Sequence, residues 1–319
     1  VIRGMIIRRF TGTCVAVLAP GAVIRGDVSA PQANRIDDCA TGIALRGASA
    51  QVMGNRIGLA SAPDVMTTGV LVAGFDATIG GLSGAGPFAG NTIGNAVLAI
   101  RVGESTGPVI GGTTIARNTI GADGATAAFV GTGVTIGPSA SNVRVVQNTI
   151  TNAGVGVTVS ADAGGVSSTG NRIQSNRFGT IPGMAIDLGG DGTYNPSDPG
   201  DADLGPNKLI NRPVLSRATQ ARVTGEAGLA CAGCTVELYR AAHIPGSLDG
   251  NGLDPVPTPL AIVDSAGTFA FEAPPVAPGD WLTALVTDAN GNTSEFGPQA
   301  RVGTGVAQCG NTSLVKGWN

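Results

Sequence analysis

An Asn-x-Ile tripeptide recurs six times within the first 173 residues, and this repeat constrains the fold more than any other feature. The copies begin at Asn34, Asn55, Asn91, Asn118, Asn148 and Asn171, at spacings of 21, 36, 27, 30 and 23 residues. Recurrence at a period of roughly 20–50 residues is typical of a solenoid. Helical repeats keep a fixed length, whereas these spacings vary. The pattern therefore predicts a coil of short strands joined by loops of uneven length.

A second motif alternates with the first. Residues 42–45, 69–72, 133–136, 154–159 and 183–188 each begin with Gly and alternate apolar with small or polar residues. Such alternation indicates a half-buried strand. Asn suits a corner of the coil because it tolerates left-handed backbone and bonds its own backbone. We therefore expect the Asn side chains to stack as a ladder of amide hydrogen bonds, with the Ile residues in the core.

Composition supports a folded, strand-rich chain. Hydrophobic residues make up 42% of the 319 residues and charged residues 13%, whereas disordered chains combine low hydrophobicity with high charge. The abundance of Gly, Ala, Val, Thr and Ile favours short strands and turns. A net charge of −3 argues against nucleic acid as a partner. No stretch approaches the roughly 20 apolar residues of a membrane span.

Five cysteines are present. Cys14 and Cys39 lie about one coil apart, and stacked strands are close enough for a disulfide; they form either a bridge or two buried free thiols. Cys231 and Cys234 form a CxxC motif. A redox CxxC precedes a helix, but the following residues alternate like a strand, which favours a structural disulfide. Cys309 is left without an assigned partner.

Two phrases carry a family resemblance. Residues 110–114 read Ile-Gly-Gly-Thr-Thr, residues 116–120 read Ala-Arg-Asn-Thr-Ile, and residues 79–81 repeat Ile-Gly-Gly. They resemble a group of bacterial secreted proteins, the right-handed parallel β-helix repeat proteins. The resemblance covers residues 1 to about 300 and includes the junction at residues 183–215. It implies a right-handed parallel β-helix in an extracellular or cell-surface protein, and much less about activity.

The pattern changes after residue 213. Strand-like runs separated by Gly/Pro turns have the spacing of a β-sandwich. Residues 289–296 contain an Asn-Gly turn and resemble the closing hairpin of bacterial immunoglobulin-like modules. We therefore expect an all-β chain with a parallel β-helix at 1–190, an Asp/Pro-rich junction at 191–213, an immunoglobulin-like β-sandwich at 214–303 and a tail or linker at 304–319.

The junction is the candidate metal site. Its oxygen-bearing side chains are Asp187, Asp191, Asn195, Asp198, Asp201 and Asp203. Ca²⁺ takes about six to eight oxygen ligands, and a cation would relieve repulsion between these carboxylates. The spacing lacks the final Glu of an EF-hand. The alternative is a solvated loop whose Asp residues cap turns. A second candidate is the loop at residues 249–254.

Candidate catalytic residues are not evident. A β-helix glycosidase needs two carboxyl groups about 5–9 Å apart, and a lyase needs a basic residue beside bound Ca²⁺. The acidic residues of the first 180 positions fall singly, and no lysine occurs there. His243 is the only histidine, and it has no Ser or Cys partner in the pattern. Nucleophilic triads and His-rich zinc sites are therefore unsupported.

These observations predict a non-catalytic exported scaffold, structural or adhesive, that is a fragment of a larger cell-surface or filament-forming protein. The alternative is a polysaccharide lyase, a glycosidase or a carbohydrate-binding domain that uses one face of the coil. Because the first coil begins without a cap, we expect its strand edges to be exposed. The expected partners are other segments of the parent protein or other protomers at the coil ends. Glycans are the alternative ligands.

Overall fold

The computed structural model is all-β. It describes residues 2–26, 33–59, 65–81, 90–104, 108–161, 168–243 and 245–304. Cys309, and the predicted tail beyond residue 304, lie outside the described residues. No helix among the described residues has the length and apolar character needed to span a membrane.

Short strands occupy the N-terminal part. They are β1 (Ile6–Val17), β2 (Val23–Arg25), β3 (Arg35–Leu45), β4 (Gln51–Met53), β5 (Arg56–Ile57), β6 (Met66–Val72), β7 (Thr78–Gly80), β8 (Thr92–Ile93), β9 (Ala96–Val102), β10 (Ile110–Gly111), β11 (Thr114–Ala116), β12 (Thr119–Ile120), β13 (Ala122–Asp123), β14 (Thr126–Ala127), β15 (Val130–Ile136), β16 (Ala140–Ser141), β17 (Arg144–Val146), β18 (Thr149–Ile150), β19 (Ala153–Ser160), β20 (Arg172–Gln174), β21 (Arg177–Phe178) and β22 (Ile186–Gly189).

The strands stack as a parallel β-solenoid, which confirms the predicted architecture. One ladder has the order β2-β4-β7-β11-β17-β20, and its six strands are separated by five complete turns of the chain. We call each such turn a coil. A second, 12-stranded sheet has the order β21-β18-β12-β8-β5-β3-β6-β9-β15-β19-β22, with β1 also paired to β3. The long strand β3 belongs to both halves of this sheet because its start pairs with β5 and its end with β6.

In-register pairing places like residues on like, which builds the core as columns. Ile36, Ile57, Ile93, Ile120 and Ile150 stack directly on one another and are fully buried. Burying one such side chain contributes roughly 1.5–3 kcal/mol. The Ile of the tripeptide therefore supplies the core, as predicted.

The Gly of the second motif leaves space for this column. A Cβ on Gly69 would lie 2.5 Å from the Ala99 carbonyl oxygen and 2.9 Å from Ile93 Cγ2. The same closeness applies at Gly42 and Gly133. These glycines lie inside their strands, so the prediction that they begin the strands was wrong. A larger residue would not fit at these positions, because the backbone of the next coil and the Ile column lie too close.

The sixth Asn of the stack is also not the predicted one. Asn176 stacks on Asn148, and its strand ends in Phe178 where the others have Ile. Asn171 instead precedes β20, at another corner of the coil, where its Oδ1 accepts the Val143 N–H. The Phe substitution hides Asn176 from a search for Asn-x-Ile.

The C-terminal part contains two small antiparallel sheets. Its strands are β23 (Val214–Ala218), β24 (Arg222–Glu226), β25 (Thr235–Ala242), β26 (Asn251–Pro255), β27 (Ala261–Ile262), β28 (Thr268–Glu272), β29 (Trp281–Thr287) and β30 (Ala300–Arg301), with short helical turns at Pro206–Leu209 and Leu229–Cys231. One sheet is β23-β24-β28, and the other is β26-β25-β29-β30 with β27 on β25. Val223 and Phe271 from the first share a buried cluster with Val236 and Leu282 from the second.

Both predicted disulfides are confirmed. Cys14 and Cys39 join β1 to β3, with their Cα atoms 5.9 Å apart. A bulge in β1 between Phe10 and Thr13 shifts the register. Cys231 and Cys234 close the turn before β25, with Cα atoms 5.2 Å apart. Because a strand follows this CxxC, its setting differs from that of a redox motif.

Candidate functional site: the two ends of the solenoid

A ladder of buried amides runs along the solenoid axis. The Nδ2–H of Asn34 donates to Asn55 Oδ1 over 2.8 Å, and the pattern continues through Asn91, Asn118 and Asn148 to Asn176 at 2.9–3.0 Å. From Asn91 onward each Oδ1 also accepts the backbone N–H of the preceding Asn. The predicted Asn ladder is therefore present, and its amides are fully used within the fold.

The last coil is sealed by side chains from the C-terminal sheets. In an inner coil the Gln147 N–H donates to the Gln174 carbonyl of the next coil. The corresponding N–H groups of the last coil donate to side-chain oxygens: Ile173 to Thr293 Oγ1 at 3.0 Å, Ser175 to Glu237 Oε2 at 2.9 Å, Ala185 to Asn251 Oδ1 at 2.9 Å, and Leu188 to Glu295 Oε1 at 3.0 Å. These oxygens take the place of a further coil.

The end of the amide ladder is covered as well. The Tyr239 side chain is fully buried there, and its hydroxyl donates to Glu237 Oε2 over 3.1 Å. Tyr239 packs edge-on against Phe296 at 4.8 Å between ring centroids, and Phe296 packs against Phe178 at 5.9 Å. We call Glu237, Tyr239, Asn251, Thr293 and Glu295 the cap.

The cap contains two buried carboxyl groups. Burial raises the pKa of Glu295 to about 7, while N–H donors from Asn195 and Leu188 and the charge of Arg212 oppose the increase. Burial also raises the pKa of Glu237, against hydrogen bonds from Ser175 and Tyr239. Both carboxyl groups bond to the backbone of the solenoid, so their geometry is that of structural acceptors.

Three of the six predicted calcium ligands make hydrogen bonds at the capped end of the solenoid. Asp187 is buried and accepts the Gly190 and Gly192 N–H groups at 2.9 and 3.2 Å. Asp191 accepts from Thr193. The Asn195 side chain donates to the Leu188 carbonyl and to Glu295. These contacts cap turns and fix the junction to the cap.

Among the described residues, the other three predicted ligands, Asp198, Asp201 and Asp203, make no hydrogen bond with the cap. Asp198 Oδ2 accepts the Ala202 N–H, and its buried Oδ1 has no hydrogen-bond partner. Burial raises the pKa of Asp201; the Asn211 N–H opposes this, and the charges of Asp198, Asp203 and Asp288 add to it. Within the described part of the chain, no three Asp, Glu, His or Cys side chains form a group that could hold a metal ion. Calcium binding at this group stays a prediction.

The second metal candidate, at residues 249–254, is divided among different partners. Asp249 pairs with Arg212 at 2.7 Å, and Asp254 lies 3.5 Å from Arg177. Asn251 belongs to the cap. The predicted loop therefore braces the junction between the solenoid and the C-terminal sheets.

Among the other titratable side chains, Asp37 is buried and its Oδ1 accepts the Leu59 N–H at 2.9 Å. Asp38, Glu104 and Asp123 each contact an arginine of a different strand or coil. His243 stacks on Trp281 with ring centroids 3.9 Å apart. Trp281 is half-buried.

The first coil is less covered than the last one. Among the described strands, β1 pairs with β3 alone, whereas the outer edge of β2 forms a parallel bridge from Ile24 to Ile2. Ile6, Phe10 and Leu18 are 65%, 52% and 72% exposed, whereas Ile36 on the next coil is fully buried. We call this face of residues 2–26 the open end. A cleft of about 450 Å³ lies beside it, lined by Arg9, Phe10, Thr11, Asp38, Cys39, Ala40, Val65 and Thr67.

No family model matches the chain, and no curated protein matches its sequence.

Proposed function

We propose that the chain is a non-catalytic structural scaffold. One observation carries the proposal: the buried polar side chains of the Asn ladder and of the cap bond to other groups of the fold. A free edge is a template for pairing with another chain, and native proteins normally blunt it. This chain devotes five side chains to covering one edge.

The energetics support a structural role for the cap. A buried backbone N–H left without a partner costs about 1–3 kcal/mol. The four N–H groups that the cap satisfies would otherwise weaken the fold.

We also propose a handedness for the coil, a type for the C-terminal module and a cellular location. The resemblance implies a right-handed coil, an immunoglobulin-like C-terminal module and a bacterial, exported protein. Two disulfides support an extracellular or cell-surface location, because disulfides persist in oxidising compartments. Calcium at Asp198, Asp201 and Asp203 is also proposed, because a cation would give the Asp198 Oδ1 a partner.

A turnover screen tests the proposal. The chain would be incubated with neutral and acidic polysaccharides, and both reducing ends and unsaturated products would be measured. We expect neither above the level of a heat-inactivated sample. Reproducible turnover would identify an enzyme and overturn the scaffold proposal.

Carbohydrate binding without turnover is the second candidate. The cleft beside the first coil favours it, because Phe10 offers a stacking surface and Arg9 and Asp38 offer polar groups. Isothermal titration with oligosaccharides tests this candidate. Binding that is lost in Phe10→Ala and retained in Phe75→Ala, another exposed aromatic residue, would support it.

A further inference from the structure

One wall of the last coils carries basic residues and no acidic ones. It is built by β11, β17 and β20, which are neighbours in the six-stranded ladder. The segments that contain these strands, residues 108–117, 137–147 and 168–175, include three arginines, Arg117, Arg144 and Arg172, and no Asp or Glu. We call this surface the arginine wall. Because the whole chain has a net charge of −3, the residues outside the wall carry −6.

Two of these arginines stand side by side. Arg144 in β17 aligns with Arg172 in β20, and adjacent strands lie about 4.8 Å apart. Both side chains point outward, because the residues that follow them, Val145 and Ile173, are fully buried in the core and successive side chains of a strand alternate between faces. Arg144 is exposed and Arg172 is half-buried.

Neither arginine is neutralised within the described residues. The ion pairs there join other arginines to carboxylates. Arg172 Nη1 lies 3.4 Å from Gln174 Oε1, which is a neutral group. A second arginine stack, Arg35 on Arg56, differs because Asp123 pairs with Arg56. The Arg144–Arg172 stack is therefore an uncompensated pair of like charges.

The acidic residues on either side of the pair do not offset it. Asp76 lies just before β7, which is two steps from β17 in the ladder, a separation of roughly 10 Å. On the cap side, both oxygens of Asp288 accept N–H groups of Asn292. Like charges directly opposite each other on a sheet are destabilising. The pair is unfavourable for the fold alone, which points to a ligand.

We propose that the arginine wall binds an acidic polysaccharide through its carboxylate or sulfate groups, with Arg144 and Arg172 as the main contacts. A guanidinium group forms two parallel hydrogen bonds with an oxyanion of this kind. Thr114, which aligns with Arg144 on the same wall, offers a hydroxyl group to the sugar. The inference goes beyond the proposed scaffold function and does not depend on it.

Other polyanions fit the wall less well. A peptide finds no strand edge there, because β17 is paired on both sides, with β11 and β20. A membrane surface finds little apolar contact, since Val109 is the single exposed large apolar side chain of the three segments. The dense phosphates of a nucleic acid would be repelled by the negative charge of the rest of the chain.

Fluorescence anisotropy with labelled oligosaccharides tests the proposal. The probes are an oligogalacturonate, its methyl ester and a sulfated chondroitin oligosaccharide. We expect the full chain to bind at least one acidic probe, with the probe that binds identifying the preferred oxyanion, and to bind the methyl ester at least tenfold more weakly than the oligogalacturonate or not at all. Salt should weaken the acidic probes because exposed charges are screened. Equal binding of the acid and its ester, or binding of no acidic probe, would overturn the proposal.

Variants of the chain locate the site. Arg144→Gln with Arg172→Gln should weaken the acidic probe at least tenfold. The matched control, Arg217→Gln with Arg301→Gln, removes the same charge from two exposed arginines in β23 and β30 and should change binding less than twofold. Equal losses in the two variants would place binding elsewhere and overturn the assignment to the wall.

Urea-induced unfolding separates a ligand site from a structural pair. The Arg144→Gln, Arg172→Gln variant should be at least as stable as the wild-type chain, because the repulsion between the two charges is removed. A clear loss of stability would show that the arginines support the fold and would contradict the argument for a ligand.

An oligonucleotide and an oligoglutamate of the same charge identify competing occupants. We expect both to bind at least tenfold more weakly than the acidic sugar. Equal or tighter binding of either one, lost in the Arg144→Gln, Arg172→Gln variant, would show that the wall takes that polymer and overturn the polysaccharide assignment. Turnover of the sugar probes would end the scaffold proposal and leave this inference standing.

Discussion

Buried Asn side chains, which could have served to bind a ligand, instead hold this solenoid together. Asn118 illustrates the point: its Oδ1 accepts two N–H groups of Asn91, and its Nδ2 donates to Asn148 and to two carbonyls. No hydrogen-bonding group of this side chain remains for a ligand. Its identity is therefore required for stability.

Replacing Asn118 by Ala should destabilise the fold strongly. The change leaves the Asn91 N–H groups and the Asn148 Oδ1 buried with fewer partners, and each such group costs about 1–3 kcal/mol. We expect a loss of at least about 3 kcal/mol in urea-induced unfolding.

Asn152→Gly is the matched control. It removes one side-chain hydrogen bond to the Gly121 carbonyl from a half-buried residue with φ 48°, a value that Gly accepts. The expected loss is about 1 kcal/mol or less. Comparable losses in the two variants would show that the ladder is no more important than an ordinary corner contact.

Glu295 should make the chain more stable in mild acid. Its pKa rises from 4.5 to about 7 on folding, so the folded state binds the proton more tightly than the unfolded state. The stabilisation is complete below pH 4.5 and is lost as the pH rises through about 7. The shift corresponds to about 3 kcal/mol. Unfolding free energies measured at pH 5 and pH 8 test the sign.

Glu295→Gln should flatten this dependence. The remaining slope would come from Glu237, Asp187 and Asp201, because burial raises the pKa of each of these carboxyl groups. A wild-type chain that is more stable at pH 8 than at pH 5 would contradict the prediction.

At the scale of strands, the sequence predicted the structural features that depend on local periodicity. Five of the stacked Asn residues, the Ile column, the parallel solenoid and both disulfides follow from the repeat and from cysteine spacing. Asn176 was not predicted, because Phe178 stands where the other copies have Ile. The glycines were misplaced because their role depends on the neighbouring coil, which sequence alone does not display.

The cap could not be predicted for a related reason. Thr293 meets Ile173 across 120 residues of chain, and Glu295 meets Leu188 across 107. No periodicity links such positions. One signal was present in β25, where the acidic Glu237 is buried between apolar residues. A buried acid needs a partner.

Calcium should stabilise the junction through its second acidic group. Adding Ca²⁺ at 100 times its dissociation constant stabilises a native state by about 2.7 kcal/mol. We expect the melting temperature to rise with Ca²⁺ and to fall with chelator. Asp198→Asn with Asp201→Asn should abolish the response.

Asp191→Asn is the control because Asp191 belongs to the other group, where it caps the turn at Thr193. It should keep the response to Ca²⁺. A melting temperature that chelation leaves unchanged in the wild-type chain would remove calcium from the proposal.

The whole molecule behaves as a stack in which each coil contacts its neighbours. Stability in such proteins is approximately a sum of local and nearest-neighbour terms. A change at one end should therefore remain at that end. The Cys14–Cys39 disulfide provides the test because it joins only the first two coils.

Replacing both Cys14 and Cys39 by Ser should loosen the open end alone. The bridge joins two residues that are 25 positions apart. Closing a loop of that size stabilises the folded state by about 3 kcal/mol in the chain-entropy model. Hydrogen exchange should accelerate in β1 and β2 and stay unchanged in β17 and β19. A uniform acceleration would show that the solenoid unfolds as one unit.

The amide ladder also gives the rod an electrical direction. From Asn34 to Asn148, each Nδ2 donates to the Asn on the cap side, and each Oδ1 from Asn55 to Asn176 accepts from the Asn on the β1 side. The carbonyl dipoles of these amides therefore point the same way along the axis, with their positive ends towards the cap. Oriented amide dipoles contribute fixed partial charges. Carboxyl groups stand at the positive pole and arginines at the negative one. A coil spliced in backwards would place donor against donor, so such a rod can be lengthened only by coils that run the same way.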